Sequence, residues 1–534
     1  MTAPADSTSD LATEPLRSRR NHWNNQVRRH SFMKPDQVAI KYLDRATSWR
    51  DLDERSRGFA AALHRRGVRF GDRVLMALLN RTEYIEAVLG ANLIGAIPVP
   101  VNIRMSPAEV SYLVSDSEST VLLTERLLAP LADAVAASTG TIETIIVVDG
   151  GSEDGAHLDY EQLVAEGSSD LPETDIPEDT VALIMYTSGT TGKPKGAMLT
   201  HTNVQAQAVT TISATEHHPG DVASVVPPLF HIAGIAAFAP VFYLGVTAVI
   251  HPLGAFDADT MLDTLEREGT TSVFMVPAQW QAVCAAQQRR PRELRLRTIS
   301  WGAAPASDSV LTAMNANFPA ASNMTAFGQT EMSPVTCMLD GRDAVRKMGS
   351  IGKVVPSVTA RIVDPLMNDV KPGEIGEIVY RGPNLMKGYW HKPQETADAF
   401  RGGWFHSGDL VREDDDGFLF VVDRAKDMII SGGENIYSAE VENVLFGHPA
   451  IREAAIIGRA DHKWGEVPVA IVVLDGVDTL TLDELKPYLD ENLARFKQPK
   501  ELIIIDELPR NAGGKVVKPR LRDVYGSKDI GLAD

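Results

Sequence analysis

The sequence predicts an α/β protein. It has a large N-terminal domain, made of two layered α/β subdomains and a small β-rich subdomain, followed by a smaller α+β C-terminal domain. Three observations predict it. Strand-like and helix-like segments alternate from Asp72 onward, short strands with Gly/Pro turns dominate after Met348, and helices with long apolar strands return from about Asp427. With 534 residues, 44% of them hydrophobic, the chain can bury several cores.

The elements follow in order. Residues 1–15, "MTAPADSTSDLATEP", carry no basic start and no apolar run, so a disordered leader is expected and not a secretory signal. "RSRRNHWNNQVRRH" is a basic patch around Trp23, suited either to an anionic membrane surface or to a solvated helix face. The segments "DRVLMALLN", "TEYIEAVLGANLIG" and "AIPVPVN" read as strand, helix and strand. Ser106-Pro107 then opens a helix, and "STVLLTE" and "TIIVVDG" read as strands. The polar run from Gly150 to Thr180 is a surface connection between α/β units. "IAGIAAFAPVFYLGVTAVI" approaches membrane-spanning length, but Gly234, Pro240 and Gly245 interrupt it, so a buried helix followed by a strand is predicted. The tail reads as helix "SAEVENVLFGH", strands "EAAIIG" and "VPVAIVVL", helix "LDELKPYLDENLARF" and strand "ELIIIDEL". No internal repeat is present, which excludes solenoids and propellers.

Composition narrows the function classes. A formal charge of -19 argues against general nucleic-acid binding, whose footprint is a basic face. The two cysteines, Cys284 and Cys337, form neither a metal pattern nor a disulfide framework, which fits a reduced cytoplasm.

The densest chemical signal is "IMYTSGTTGKPKGAMLTH", from Ile184 to His201. "VALIMY" reads as a buried strand ending near Tyr186, so the loop starts at a strand end. Gly189, Gly192 and Gly196 permit close backbone approach. Thr187, Ser188, Thr190 and Thr191 offer hydroxyls, and Lys193 and Lys195 offer charge. Anion binding is the natural use, with a solvated Gly/Thr turn as the ordinary alternative. Walker spacing is absent, because Gly189 and Gly192 enclose only Thr190-Thr191 and Pro194 follows Lys193.

Seven motifs in order give this loop a context: "YTSGTTGKPKG" (186–196), "PLFHIAG" (228–234), "WGAAP" (301–305), "AFGQTE" (326–331), "GWFHSGDL" (403–410), "VDRAKDMIISGGENI" (422–436) and "PRNAGGK" (509–515). Together they resemble the adenylate-forming enzymes: acyl-CoA synthetases, luciferases and peptide-synthetase adenylation domains. The resemblance covers nearly all of the chain after the leader. "DMIISGGENIY" and "LPRNAGGKV" are most similar to bacterial fatty-acyl-CoA ligases.

The resemblance implies two half-reactions: a carboxylate attacks the α-phosphate of ATP to give acyl-AMP and pyrophosphate, and a thiol then displaces AMP. An anion attacking a polyanion needs fixed positive charge and oriented donors. On this resemblance Thr187, Ser188, Gly189, Thr190, Thr191, Gly192, Lys193 and Thr330 bind the ATP phosphates, and Glu331 holds Mg2+. Gly302, Ala303, Ala304, Phe327, Gly328 and Gln329 form the adenine pocket, and Asp409 and Arg424 take the ribose. Lys515 is the implied catalytic lysine, acting with Thr187, Glu331 and His231. Its ordinary alternative is a surface lysine in a basic tail.

His231, Ile232, Ala233, Val276, Trp280, Trp301 and Met332 are the expected acyl pocket, although each has a plain core role as its alternative. Apolar lining suits an alkyl chain better than an ammonium group. Lys426 matches the family's hinge, and Ser431, Gly432 and Gly433 match its CoA tunnel. The implied domains are an adenylating domain over 16–425 and a mobile C-terminal domain over 426–534. Ser438 stands where relatives often carry Pro.

The expected activity is that of an AMP-forming fatty-acid:CoA ligase for medium or long chains, using ATP, Mg2+ and CoA. No nucleic-acid partner is expected. A homodimer and peripheral membrane contact through the basic N-terminal stretch are left open, and a cytoplasmic location is expected. Two alternatives stand beside it: adenylation of an aryl acid or transfer to a carrier protein, and a nucleotide- and lipid-binding protein without catalysis.

Overall fold

A computed structural model describes residues 20–152, 155–167, 171, 174–187, 193–215, 217–303, 306–432, 434–477, 479–511 and 514–526. The chain forms two compact units. One runs through Thr359 and regains Arg381–Arg401; the other comprises Ala360–Tyr380 and the chain from Gly402 onward.

In the larger unit, two α/β layers follow from the alternation of elements. The first has a parallel sheet of Ile97–Pro100, Arg73–Ala77, Val121–Glu125, Thr144–Val148 and His157–Asp159, in that spatial order. Helices Pro107–Ser117 and Ala129–Thr139 cover apolar residues of its strands; Val110, Leu113 and Val135 pack on Leu75, Val99 and Leu122. Ser106 starts the first of these helices with a capping box to Glu109.

The second layer is a nine-stranded sheet among the described residues. Its centre is parallel: Ser322–Gly328, Thr298–Gly302, Ser272–Phe274, Val222–Val225, Thr247–Ile250 and Val38–Tyr42. Antiparallel strands finish both edges. The long apolar stretch after His231 is the helix Ile232–Leu244 followed by the strand Thr247–Ile250. No helix among the described residues is long and apolar enough to cross a membrane. A third, antiparallel sheet of Gly388–Tyr389, Lys195–Thr200 and Val181–Thr187 completes this unit.

The basic N-terminal stretch forms the helix Trp23–Met33, which is docked and not free. Trp23 is buried and its indole N–H donates to Asn92 Oδ1 at 2.8 Å, while Arg20 pairs with Asp175 and Glu178. Trp23 is therefore turned away from any external surface.

The smaller unit holds an antiparallel sheet of Thr359–Val363, Ile375–Arg381, Phe405–Glu413 and Leu419–Arg424. It also holds a sheet centred on the long hairpin Ile451–Asp461 and Gly465–Leu474, with Glu501–Ile504 added in parallel. Helices Ser438–Phe446 and Leu482–Asn492 cover one face of this hairpin, and Lys518–Tyr525 reaches the other through Leu521. Cys284 and Cys337 are both buried thiols outside any disulfide among the described residues, and burial pushes the Cys284 thiol up to about 11.

Candidate active site

The strands Val181–Thr187 and Lys195–Thr200 pair in a register that sets Thr187 opposite Lys195. Ser188, Gly189, Thr190, Thr191 and Gly192, the centre of the predicted phosphate loop, lie outside the described residues. Its shoulders are well anchored. Lys193 Nζ lies 5.5 Å from the centre of the Tyr112 ring, and Lys195 Nζ lies 4.6 Å from that of Tyr389. Such contacts hold an ammonium in place without neutralising it. Beneath them, Asp116 accepts from the hydroxyls of Tyr186 (2.9 Å) and Tyr112 (3.2 Å) and from Lys392 (2.6 Å). Burial, reinforced by the Asp116 charge, holds the Tyr186 phenol far above its ordinary range, so it stays a donor.

Glu331 sits in a short helical turn, Thr330–Met332, directly after the strand Ser322–Gly328. Gly328 makes the turn possible: its φ is +155°, and a Cβ there would lie 1.7 Å from the Pro334 carbonyl oxygen. Asn384 clamps the turn by donating to the Met332 and Val335 carbonyls at 2.9 and 3.1 Å. Glu331 is only 7% exposed, yet Oε1 accepts two hydroxyl donors, Thr187 at 3.1 Å and Tyr389 at 3.0 Å. Both bonds fall on one oxygen, leaving Oε2 outside them. Burial, with the Glu331 charge adding to it, raises the Tyr389 phenol far above its usual range, so it too remains a donor.

The predicted adenine residues cluster on two neighbouring strands, paired through Gly302 and Ala326. Gly302 cannot be enlarged, since a Cβ would lie 2.4 Å from Ala326 O. Ala303 holds a left-handed φ of +64°, uncommon for a residue with a side chain. Phe327 and Gln329 are half-buried, and Ala304 lies outside the described residues.

His231 caps the helix Ile232–Leu244, its Nδ1 accepting from Ala233 N at 3.2 Å. The preceding "PPLF" is fixed by Asn80, which is fully buried. Asn80 Nδ2 donates to Pro227 O (3.0 Å) and His251 O (3.1 Å), and its Oδ1 accepts from Leu229 N (2.7 Å). Replacing it with alanine leaves these buried backbone groups unpaired. Asn80→Ala is expected to destabilise the larger unit by about 2–4 kcal/mol, read as a lower urea midpoint for that unit's unfolding.

Trp280 and Trp301, two of the expected lining residues, are both buried. Both belong to a core with Leu262, Val283, Leu311 and Met314, from helices Ala258–Glu268, Pro277–Arg289 and Asp308–Asn317. Successive strand residues face opposite sides, so Trp301 points away from the side of Gly302. The Trp280 indole donates to Ser300 O at 2.9 Å. Of the other expected lining residues, Ile232 and Met332 are buried, and Ala233 and Val276 are half-buried.

In the smaller unit, cross-strand partners Asp409 and Arg424 form an ion pair at 2.8 Å, with the aspartate buried and the arginine half-exposed. Lys426 lies in the exposed turn after that strand. Ser431 ends the strand Ile429–Ser431, and Gly432, at φ +61°, donates its N–H to Trp464 O at 2.7 Å. A Cβ on Gly432 would meet the Trp464 ring at 2.7 Å. Gly433 lies outside the described residues. Lys515 is exposed on a loop whose backbone is closed by Asn511: Lys515 N donates to Asn511 Oδ1 and Asn511 N to Lys515 O, both at 2.9 Å.

Sequence reasoning missed Tyr389, Asn384 and Asn80. Each is distant in sequence from the motif it supports, and only Gly388 before Tyr389 marks a local irregularity.

A lysine-bearing hairpin stands against a carboxylate braced by two hydroxyls, in a unit with two α/β layers. Residues 27–390 match the AMP-binding enzyme family and residues 440–515 its C-terminal domain, and the chain belongs to this adenylate-forming family. It is 38% identical to a feruloyl-CoA synthase of Amycolatopsis sp, over 93% of this chain and 98% of that protein. An indoleacetate–CoA ligase of Aromatoleum aromaticum is 36% identical, over 94% and 98%. A long-chain-fatty-acid–CoA ligase of Mycobacterium tuberculosis is 35% identical, over 86% and 90%. Among solved structures, an o-succinylbenzoate CoA synthetase of Bacillus subtilis with ATP and magnesium superposes with a TM-score of 0.83 at 32% identity, covering 93% of this chain and 99% of that one.

Proposed function

We propose that this protein is an AMP-forming acid:CoA ligase whose acid carries an aromatic ring. The observation that supports the chemistry best is the Glu331 carboxylate, braced through Oε1 by Thr187 and Tyr389 beside the lysine-flanked hairpin. A carboxylate oxygen among hydroxyls is a hard donor set that fits Mg2+, which is commonly held by one or two carboxylates plus substrate phosphates. Bound there, Mg2+ would neutralise charge on the phosphates of ATP.

The chain's own groups do the rest. Thr187, the loop from Ser188 to Gly192, Lys193 and Thr330 hold the β,γ-phosphates. Gly302, Ala303, Ala304, Phe327, Gly328 and Gln329 receive adenine, and the Asp409 carboxylate, oriented by Arg424, accepts from the ribose diol. The acid's carboxylate oxygen bonds to the α-phosphorus as the bond to pyrophosphate breaks, and Lys515 neutralises the charge gathering there. The CoA sulfur then bonds to the acyl carbon as AMP leaves with the shared oxygen, and the thiol proton passes to solvent. Ser431, Gly432 and Gly433 admit the CoA arm, with Lys426 as the hinge between the two steps. His231, Ile232, Ala233, Val276 and Met332 contact the acid; Trp280 and Trp301, packed in the core, do not.

The aromatic acid is supported by the feruloyl and indoleacetate relatives, each matched over more than nine-tenths of both chains. A long-chain fatty acid is the second reading, supported by the mycobacterial relative. The deciding assay supplies ATP, Mg2+ and CoA with hydroxycinnamic, arylacetic, benzoic and C6–C18 fatty acids, and identifies products by mass. CoA-dependent aryl-CoA with AMP is the expected result. Fatty acyl-CoA in its place would establish the second reading, and acyl-AMP without thioester would remove CoA as the acceptor.

A further inference from the structure

The smaller unit contains a buried polar chain that the proposed chemistry leaves unused. Lys518, three residues after Lys515, directs Nζ to both Ser438 Oγ and Glu442 Oε1, each at 2.7 Å. Ser438 is fully buried; its Oγ donates to Asp423 Oδ1 at 3.2 Å and its backbone N–H donates to Asp423 Oδ2. Asp423 also accepts from Arg424 N at 2.7 Å, and Glu442 accepts from Ile456 N at 2.8 Å. One lysine serves two carboxyls, Glu442 directly and Asp423 through Ser438, and burial pushes both above the ordinary range.

The chain runs between two places that matter. Asp423 lies in the strand Leu419–Arg424, beside the Arg424–Asp409 pair, and its carboxylate sits at the N-terminus of the helix Ser438–Phe446. Lys518 opens the helix Lys518–Tyr525 directly after the Lys515 loop. The loop's other end is fixed separately, by Arg510 paired with Glu453 and donating to Gly514 O at 2.7 Å. The exit is also closed on the loop's start, Val517 N donating to Pro509 O at 2.8 Å and Arg510 bridging to Val516, so Lys518 ties the closed loop as a whole to Ser438.

We infer that Ser438 is a positioning residue, joining Lys518 to Asp423 so that the Lys515 loop is held in register with the strand that carries Arg424. This rests on the proposed role of Lys515 in adenylate formation. A loop displaced by about 1 Å costs up to ~10²-fold in rate, whereas a step that does not use Lys515 is left alone.

Ser438→Pro is a clean test. Position 438 is the first residue of its helix, where proline fits, and Tyr437 before it is already extended (φ -88°, ψ 113°), as a pre-proline residue must be. The substitution removes both the N–H and the hydroxyl. Ser438→Ala removes the hydroxyl alone.

Both half-reactions are measured on each variant, adenylation as single-turnover pyrophosphate release and thioester formation from supplied acyl-AMP and CoA, with the melting midpoint confirming a folded protein. The expected result is adenylation slowed about 10- to 100-fold in Ser438→Pro and less in Ser438→Ala, with thioester formation within about twofold of the parent. Equal loss in both half-reactions, or loss in neither, overturns the inference. Lys515→Ala is run alongside. If it adenylates normally, the role of Lys515 and this inference fall together; if it is inactive while Ser438→Pro is unimpaired, only the inference falls.

Discussion

Lys515→Ala protein is expected to form acyl-adenylate about 10²–10³-fold more slowly than the parent while binding ATP almost unchanged. A stabiliser of developing charge contributes where the carboxylate meets the α-phosphate, and little to the ground state, so its loss falls on rate and not on affinity. The two Asn511 hydrogen bonds reach the backbone at 515, so alanine removes the charge and keeps both of them. The measurements are single-turnover pyrophosphate release and equilibrium ATP binding. A rate within a few-fold of the parent would remove Lys515 from the reaction.

The second large effect is expected at Glu331. Glu331→Gln keeps an oxygen to accept from Thr187 and Tyr389 but removes the negative charge, so geometry and electrostatics are separated. Adenylation at a fixed low Mg2+ concentration should fall by about 10²-fold, the upper end of what losing even an outer-shell partner costs a metal site. A shift of the Mg2+ titration to higher concentration should accompany it. An unchanged Mg2+ titration would show that the carboxylate acts in some other way.

Much of this was readable in advance where the signal is local. "VALIMY" has the length and apolarity of a buried strand, and the strand observed is Val181–Thr187. Gly245 ends the helix Ile232–Leu244 in a left-handed conformation, so the apolar stretch after His231 divides where its glycine predicts. Asn80, Asn384 and Tyr389 were not readable, because each supports backbone or side chains far away in sequence, and only Tyr389 has a local sign, the adjacent Gly388. The facing of Trp301 was also hidden. A strand covered on both faces by helices shows no polar alternation, so the sequence does not say which face holds a ligand. At Ser438, where relatives often carry proline, the sequence does not show that the N–H and hydroxyl are both engaged by Asp423.

The interleaving of the two units has a consequence for how the chain is made. The larger unit needs Arg381–Arg401, which supplies Tyr389 and Lys392, but Ala360–Tyr380 emerges first and belongs with strands that follow Gly402. At about 5–20 residues per second, the ribosome holds the nascent Glu331 turn without its Tyr389 partner for several seconds. A fragment ending at Thr359 would lack that tyrosine altogether. An expression boundary chosen there by length alone would yield a hairpin without its third strand and a buried carboxylate short of one donor.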